Sequence, residues 1–213
     1  MKIQEALRGQ ITLRSDFNVD SVSLVAGADV SCERRGGLFF ACVVVLNIPS
    51  FRIEAVSHSS ARVTFPYIPG LLSFREGPAL VKAFERLDVM PQVILFDGQG
   101  IAHQRRFGLA AHLGFLLGVP SVGCAKTRLV GSHEPLRDER GSVAPLFDGM
   151  EKVGYVVRTK DGIHPLYVSP GNRIDHEDSA TVVLKSTKNY RIPEPIRQAH
   201  IFGNIARKKE KAL

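Results

Sequence analysis

Two apolar runs in this 213-residue chain close on an aspartate: VAGAD on Asp29 and VILFD on Asp97. Singly, such a residue is also the ordinary turn or helix-capping aspartate. Side by side on neighbouring strands, the two carboxylates converge at one end of a sheet and repel unless a cation lies between them. An all-oxygen donor set, without paired cysteine or histidine, favours Mg²⁺, with Mn²⁺ as a substitute. Nearby cations then draw phosphate toward the metal. The second run continues as GQGIAHQRR, where Gly98 and Gly100 let a substrate approach the backbone and His103, Arg105 and Arg106 face it. A third carboxylate, Glu76, sits near a helix start, either in a Ser73-Phe74-Arg75-Glu76 capping box or just before a helix opened by Pro78.

The bulk composition fits that chemistry. Lys and Arg number 28 against 21 Asp and Glu, a net charge of +7. This points to a polyanionic partner, nucleic acid ahead of an anionic membrane surface. Cys32, Cys42 and Cys124 are far apart, with no CxxC or finger spacing. That argues against a disulfide framework or structural zinc and for a reducing, cytoplasmic setting. No apolar leader opens the chain, and the run LFFACVVVL at 38–46 is too short to span a bilayer, so no membrane association is expected. With no repeat or linker in sight, the reading is a single domain over 1–213, acting as a monomer.

The elements that must position the acids follow from apolar patterning. Strands are expected at 22–30, 39–47 and 51–65, the first three forming a meander, then at 93–97 and 120–126. Helices are expected at 78–87, 108–118, 178–185 and 195–208. VGYVVRT and HPLYVSP flank Lys160-Asp161-Gly162 and read as a hairpin with an Asp-Gly turn. FPYIPG at 65–70 is too rich in proline for helix or strand. The sum is a mixed α/β sheet with an antiparallel edge, flanked by helices.

Six strings then carry a resemblance: VAGADVS (25–31), TFPYIPGLLSFREGPAL (64–80), LFDGQGIAH (95–103), VGCAKTRLVG (122–131), PLYVSPGNR (165–173) and RIPEPIRQAH (191–200). Together, in register over about residues 24–205, they resemble endonuclease V, a deoxyinosine-directed nuclease family with an RNase H-like fold. The resemblance implies that Asp29, Asp97 and Glu76 bind the catalytic Mg²⁺. It places Lys126 at the scissile phosphate, to neutralise transition-state charge. His103 and His200 match family histidines that position water or contact the nucleic-acid backbone; packing is the alternative role for each. Pro66 and Pro69 stiffen the loop around Tyr67 and Ile68, and the resemblance makes Tyr67 a wedge that fills the gap left by an extruded base. Gly70, Leu72, Gly98, Gly100 and Gly108 are candidate lining of a base pocket that reads hypoxanthine through backbone groups, although glycines equally serve turns and packing.

The implied reaction is hydrolysis of the second phosphodiester bond 3′ to the lesion, which leaves inosine in the nicked strand. The implied partner is DNA containing deoxyinosine. An RNase H-like nuclease acting on inosine RNA or a branched junction is the alternative within enzymes, and a non-catalytic inosine binder the alternative outside them. One departure from the family pattern stands out: Gln104 follows His103, where many members carry proline.

Overall fold

The computed structural model describes residues 1–32 and 37–210. The meander is present as β1 (Leu24–Cys32), β2 (Leu38–Asn47) and β3 (Ile53–Arg62), paired antiparallel in sequence order. A short strand, β4 (Val93–Phe96), returns parallel to β1, and β5 (Ser121–Ala125) lies parallel to β4. The far half is antiparallel: β6 (Val143–Asp148), β7 (Glu151–Val157) and β8 (Leu166–Asn172) extend the sheet outward from β5. The order across the eight strands is β3-β2-β1-β4-β5-β8-β7-β6.

Alternation along the strands feeds two apolar layers. Val93 and Leu95 of β4 join one, while Ile94 and Phe96 join the other. The first layer is covered by α4 (His176–Lys185) and α5 (Glu194–Glu210), through Val182, Val183, Ile196 and Ala199. The second is covered by α2 (Leu72–Phe84) and α3 (Leu109–Leu117), through Leu80, Phe84, Ala110 and Leu113. A short α1 (Lys2–Leu7) is exposed along most of its length but buries Gln4 completely. Among the described residues, no helix is long and apolar enough to cross a membrane.

Several expectations need correction. Helix α2 starts at Leu72, so Ser73 lies inside its first turn, hydrogen-bonded to His112, and no capping box forms. Pro78 falls within the helix instead of opening it. Proline there costs about 3 kcal/mol in lost bonding and ring clash, which tertiary contacts offset. Ser59 and Ser57 donate to the carbonyls of Ala79 and Ala83, and Leu80 and Phe84 pack into the core. Strand β6 is absent from the expected elements; it is an edge strand, where its Pro145 is tolerated. The two-residue turn joins β6 to β7 at Gly149-Met150, with Gly149 at φ +64°. β7 and β8 pair antiparallel as the expected hairpin, but Asp161-Gly162 lies in a longer connecting loop gathered around the buried Arg158 guanidinium, which donates to the Ile163 and Arg137 carbonyls. The last three residues, 211–213, lie outside the described part of the chain.

Helix and sheet approach closely at Gly27 of β1. A Cβ there would sit 2.0 Å from the Pro195 carbonyl carbon and 2.2 Å from the Ile196 nitrogen. Neither backbone atom can swing aside. Gly27→Ala is therefore expected to push α5 off the sheet and destabilise the protein by about 2–3 kcal/mol, read as a lower urea midpoint at constant m-value. An unchanged midpoint would show that α5 yields without cost.

Candidate active site

The pairing of β1 with β4 places Ala28 beside Phe96, so the next residues along, Asp29 and Asp97, are neighbours. Asp29 shares its face of the sheet with Val25, and Asp97 continues the Val93-Leu95 face; both face α5. The two strands differ in length. β4 stops at Phe96, leaving Asp97 just beyond its end, whereas β1 continues to Cys32 because β2 pairs with it that far. β5 ends at Ala125, and Lys126 follows at once. Asp97 and Lys126 thus stand just past the carboxyl ends of β4 and β5, where open α/β sheets bind ligands. Asp29 lies level with them inside β1, which does not close on it as expected but runs three residues further.

Each group has a partner. The Lys126 ammonium donates to Asp97 Oδ2, and Arg191 holds the Lys126 carbonyl from behind at 2.7 Å. His200, on α5, places Nδ1 2.8 Å from Asp29 Oδ2. One turn on, Asn204 donates to His200 Nε2 at 2.9 Å, and Ser31 Oγ lies 3.0 Å from Asn204 Oδ1. This chain of bonds selects the imidazole tautomer that donates from Nδ1 to the carboxylate.

Glu76 reaches the same region from α2. Burial and then the charges of Asp29 and Asp97 push its carboxyl up to about 7. Asp29 is also raised, by burial first and by Asp97 among other groups, against the opposing pull of His200 and Lys126. The three acids therefore act on one another across the strand ends. Among the described residues, no three His, Cys, Asp or Glu side chains are already gathered as ligands of one cation. Two of the acids are instead engaged by Lys126 and His200. The donor chemistry fits a hard divalent ion all the same, because three mutually repelling carboxylates supply oxygen ligands and a charge deficit for it to fill.

Beside Asp97 and Lys126 opens a cavity of about 450 Å³. It is lined by Tyr67, Ile68, Pro69, Gly70 and Leu72 from one segment, by Gly98 and Gly108, and by Thr127, Arg128 and Leu129 after β5. Tyr67 projects with 69% of its surface exposed, and Pro66 beside it is exposed as well. The segment is fixed at its start by Arg75, whose Nη1 donates to the Phe65 carbonyl at 2.6 Å while its guanidinium rests on the Phe39 ring.

Other candidate residues stand differently from expectation. Gly100 does not line the cavity; a Cβ there would lie 2.1 Å from the Pro170 carbonyl, so the glycine is needed for packing against β8. At Gly108 a Cβ would come within 2.4 Å of the Gln99 carbonyl. His103 is buried, with both ring nitrogens engaged: Nδ1 accepts from the Arg105 amide, and Nε2 lies 3.1 Å from the Gly70 carbonyl. Burial and the neighbouring Arg105 push it down to about 4, so it is neutral and has no free nitrogen for a water. Arg105 and Arg106 do not face the substrate region. Arg105 turns to Gln4 and Gly70, and Arg106 pairs with Asp148 and Glu151 on the far side of the loop. Sequence reading also missed Asn204, Ser31, Arg191 and Gln4. The i, i+4 spacing of His200 and Asn204 on α5 was a usable signal for the first; the others depend on tertiary contacts.

Comparison with known proteins identifies the family. The endonuclease V family profile matches residues 5–201. A curated endonuclease V from Dehalococcoides mccartyi is 50% identical over 183 residues, 86% of this chain and 82% of its own length. The crystal structure of the endonuclease V from Streptomyces avermitilis superposes with a TM-score of 0.93 at 38% identity, covering 99% of this chain and 92% of that one. Endonuclease V from Ciona intestinalis, crystallised with a 24-mer DNA containing an inosine followed by a ribo-adenosine, superposes with a TM-score of 0.86 at 29% identity over 98% of this chain and 96% of its own. The fold is accordingly the RNase H-like mixed sheet.

The raised Glu76 carboxyl has a signed consequence. Its stabilising protonation is complete in acid and lost as pH rises through about 7. In EDTA, the protein is expected to lose about 2–3 kcal/mol of stability through this group between about pH 5 and pH 8. Glu76→Gln should remove that loss and be the more stable protein at the alkaline end. Urea titrations at the two pH values check it; parallel pH slopes for the two proteins would mean that the Glu76 carboxyl is not raised.

Proposed function

The chain belongs to the endonuclease V family, and from that membership we propose that it is a Mg²⁺-dependent deoxyinosine 3′-endonuclease, hydrolysing the second phosphodiester bond 3′ to the lesion. The observation that carries the reading is the juxtaposition of two parts. Asp29 and Asp97 are neighbours where the β1–β4 pairing ends, with Glu76 beside them, and a cavity walled by the Tyr67 segment opens next to Asp97. The DNA bound by the Ciona intestinalis relative, which contains inosine, supports the substrate class.

Asp29, Glu76 and Asp97 would hold the cation. When bound, it supplies Lewis-acid polarisation of the scissile phosphate, an easier deprotonation of water and stabilisation of the leaving oxygen. The protein's own groups do the remainder. Lys126 presents a positive charge beside Asp97, where negative charge builds on the phosphate. His200, bonded to Asp29 at Nδ1 and to Asn204 at Nε2, orients the Asp29 carboxylate and reaches a water or a proton only by exchanging one of those two bonds. Tyr67 and Ile68 enter the stack and occupy the gap when the base leaves, offsetting about 1–3 kcal/mol of the unstacking cost. The extruded base enters the cavity, where hypoxanthine offers a carbonyl acceptor and an N–H donor in place of the donor and acceptor of adenine. Backbone groups along Gly70 and Gly98 discriminate the two without a charged side chain.

The deciding experiment uses two end-labelled duplexes that differ in one deoxyinosine, with Mg²⁺ and then with EDTA, alongside an inosine RNA. The expected product is a metal-dependent nick in the DNA, one nucleotide beyond the inosine. Asp97→Asn should cut at least about 100-fold more slowly yet retain inosine binding in a gel shift. Tyr67→Ala should weaken duplex capture about 10-fold. Full cutting by Asp97→Asn would sink the acid assignment, and tight binding without cutting by the parent protein would make it a binder.

A further inference from the structure

The carbonyl of Gly70 receives three donors. It accepts from Gln4 Nε2 at 3.0 Å and Arg105 Nη2 at 2.8 Å, and His103 Nε2 stands 3.1 Å away. With His103 Nδ1 accepting from the Arg105 amide, the ring proton lies on Nε2, so the imidazole also donates to that carbonyl. A carbonyl oxygen has two lone pairs, so three convergent donors crowd it and resist its reorientation.

The donors are themselves tied together. Arg105 Nε donates to Gln4 Oε1 at 2.6 Å, and Gln4 Nε2 is also 2.9 Å from the Phe107 carbonyl. Gln4 is fully buried on a helix whose other residues are mostly exposed. It links the start of the chain to two loops, 66 and 103 residues away, through one amide group. The receiving residue is constrained as well. Gly70 has φ +79°, and a Cβ there would lie 2.7 Å from Arg105 Nη2 and 2.8 Å from Gln104 Oε1. The segment that ends in this junction is the one that projects Tyr67 and Ile68, and Arg75 pins its other end at Phe65.

We infer that Gln4 and Arg105 are positioning residues for the Tyr67 segment, and that the N-terminal helix is thereby a working part of lesion capture. The inference rests on the proposed wedge role of Tyr67. An arm held at both ends enters a base stack without first giving up its own freedom, so the ordering cost of binding is already met in the free protein. Duplex DNA requires the wedge, because a gap must be filled; a single strand does not. Gln4 and Arg105 therefore govern capture of inosine in duplex far more than in single strands, and they govern binding more than turnover.

The chain contains no tryptophan, so Tyr67→Trp supplies a single emission probe at the tip of the segment. In that background, Gln4→Met keeps the buried volume while removing the amide, and Arg105→Met removes the guanidinium. Both are expected to lower the steady-state anisotropy of the introduced indole in the free protein. In the parent background, the same two substitutions should raise KM for the inosine duplex about 10-fold with kcat changed less than about 2-fold, and move KM for a single-stranded inosine oligonucleotide less than about 3-fold. A purely structural role would lower the thermal midpoint and leave the duplex-to-single-strand ratio untouched. Unchanged anisotropy in both variants, or an unchanged ratio in both, overturns the inference. A parent protein that ignores inosine in either form would overturn the functional reading instead, and the anisotropy would still decide whether Gln4 and Arg105 hold the segment.

Discussion

The register of one short parallel pairing governs this molecule. Setting β1 against β4 with Ala28 beside Phe96 forces two carboxylates to the same level and the same face, just where their pairing ends. Like charges so placed are unfavourable, and much of the surrounding structure answers that cost. Lys126 arrives on the next parallel strand to meet Asp97, and α5 delivers His200 to Asp29. Glu76 resists ionisation. α5 reaches the sheet only because Gly27 lets its backbone approach. A shift of β4 by one residue would turn Asp97 to the opposite face and dissolve the site.

The site has a floor and a rim of different character. Under the acids, backbone packs on backbone: a Cβ at Gly100 would meet the Pro170 carbonyl at 2.1 Å, and one at Gly123 would meet the Gly100 nitrogen at 2.3 Å. No rotamer can soften such contacts. The rim is made of side chains on loops, Tyr67 before α2 and Arg128 and Leu129 after β5. The glycines after Asp97 are thus divided in purpose. Gly98 opens toward the cavity, whereas Gly100 is closed against β8.

Much of the sheet was legible because its strands are continuous apolar runs bounded by turn residues, and β1, β2, β4 and β5 follow from that alone. The convergence of Asp29 and Asp97 was legible because both close such runs. The start of α2 was not, since Ser73, Glu76 and Pro78 each offer a plausible local signal that tertiary packing overrides. Strand β6 has a weak local signature, a six-residue run holding Pro145, which only an edge position tolerates. The arginines after His103 read as substrate-facing because cations near acids usually are. Their targets, a buried glutamine 101 residues away for Arg105 and acids on the β6–β7 turn for Arg106, have no local signature. Junctions such as that at Gly70 exist only in three dimensions.

Cys42 lies opposite Asp29 across the β1–β2 ladder, and Cys124 lies two residues before Lys126 on β5. Both are buried on the face that carries the acids. Burial, followed by the negative charge of Asp29, pushes the Cys42 thiol up to about 12; burial and Asp97 push Cys124 higher still. Only a thiolate is a good nucleophile or a soft-metal ligand. Burial, with the carboxylates adding to it, therefore silences both sulfurs. That leaves a centre whose accessible donors are hard oxygens, poorly suited to thiophilic ions, and whose thiols stand low on the scale of reactivity toward peroxides and electrophiles.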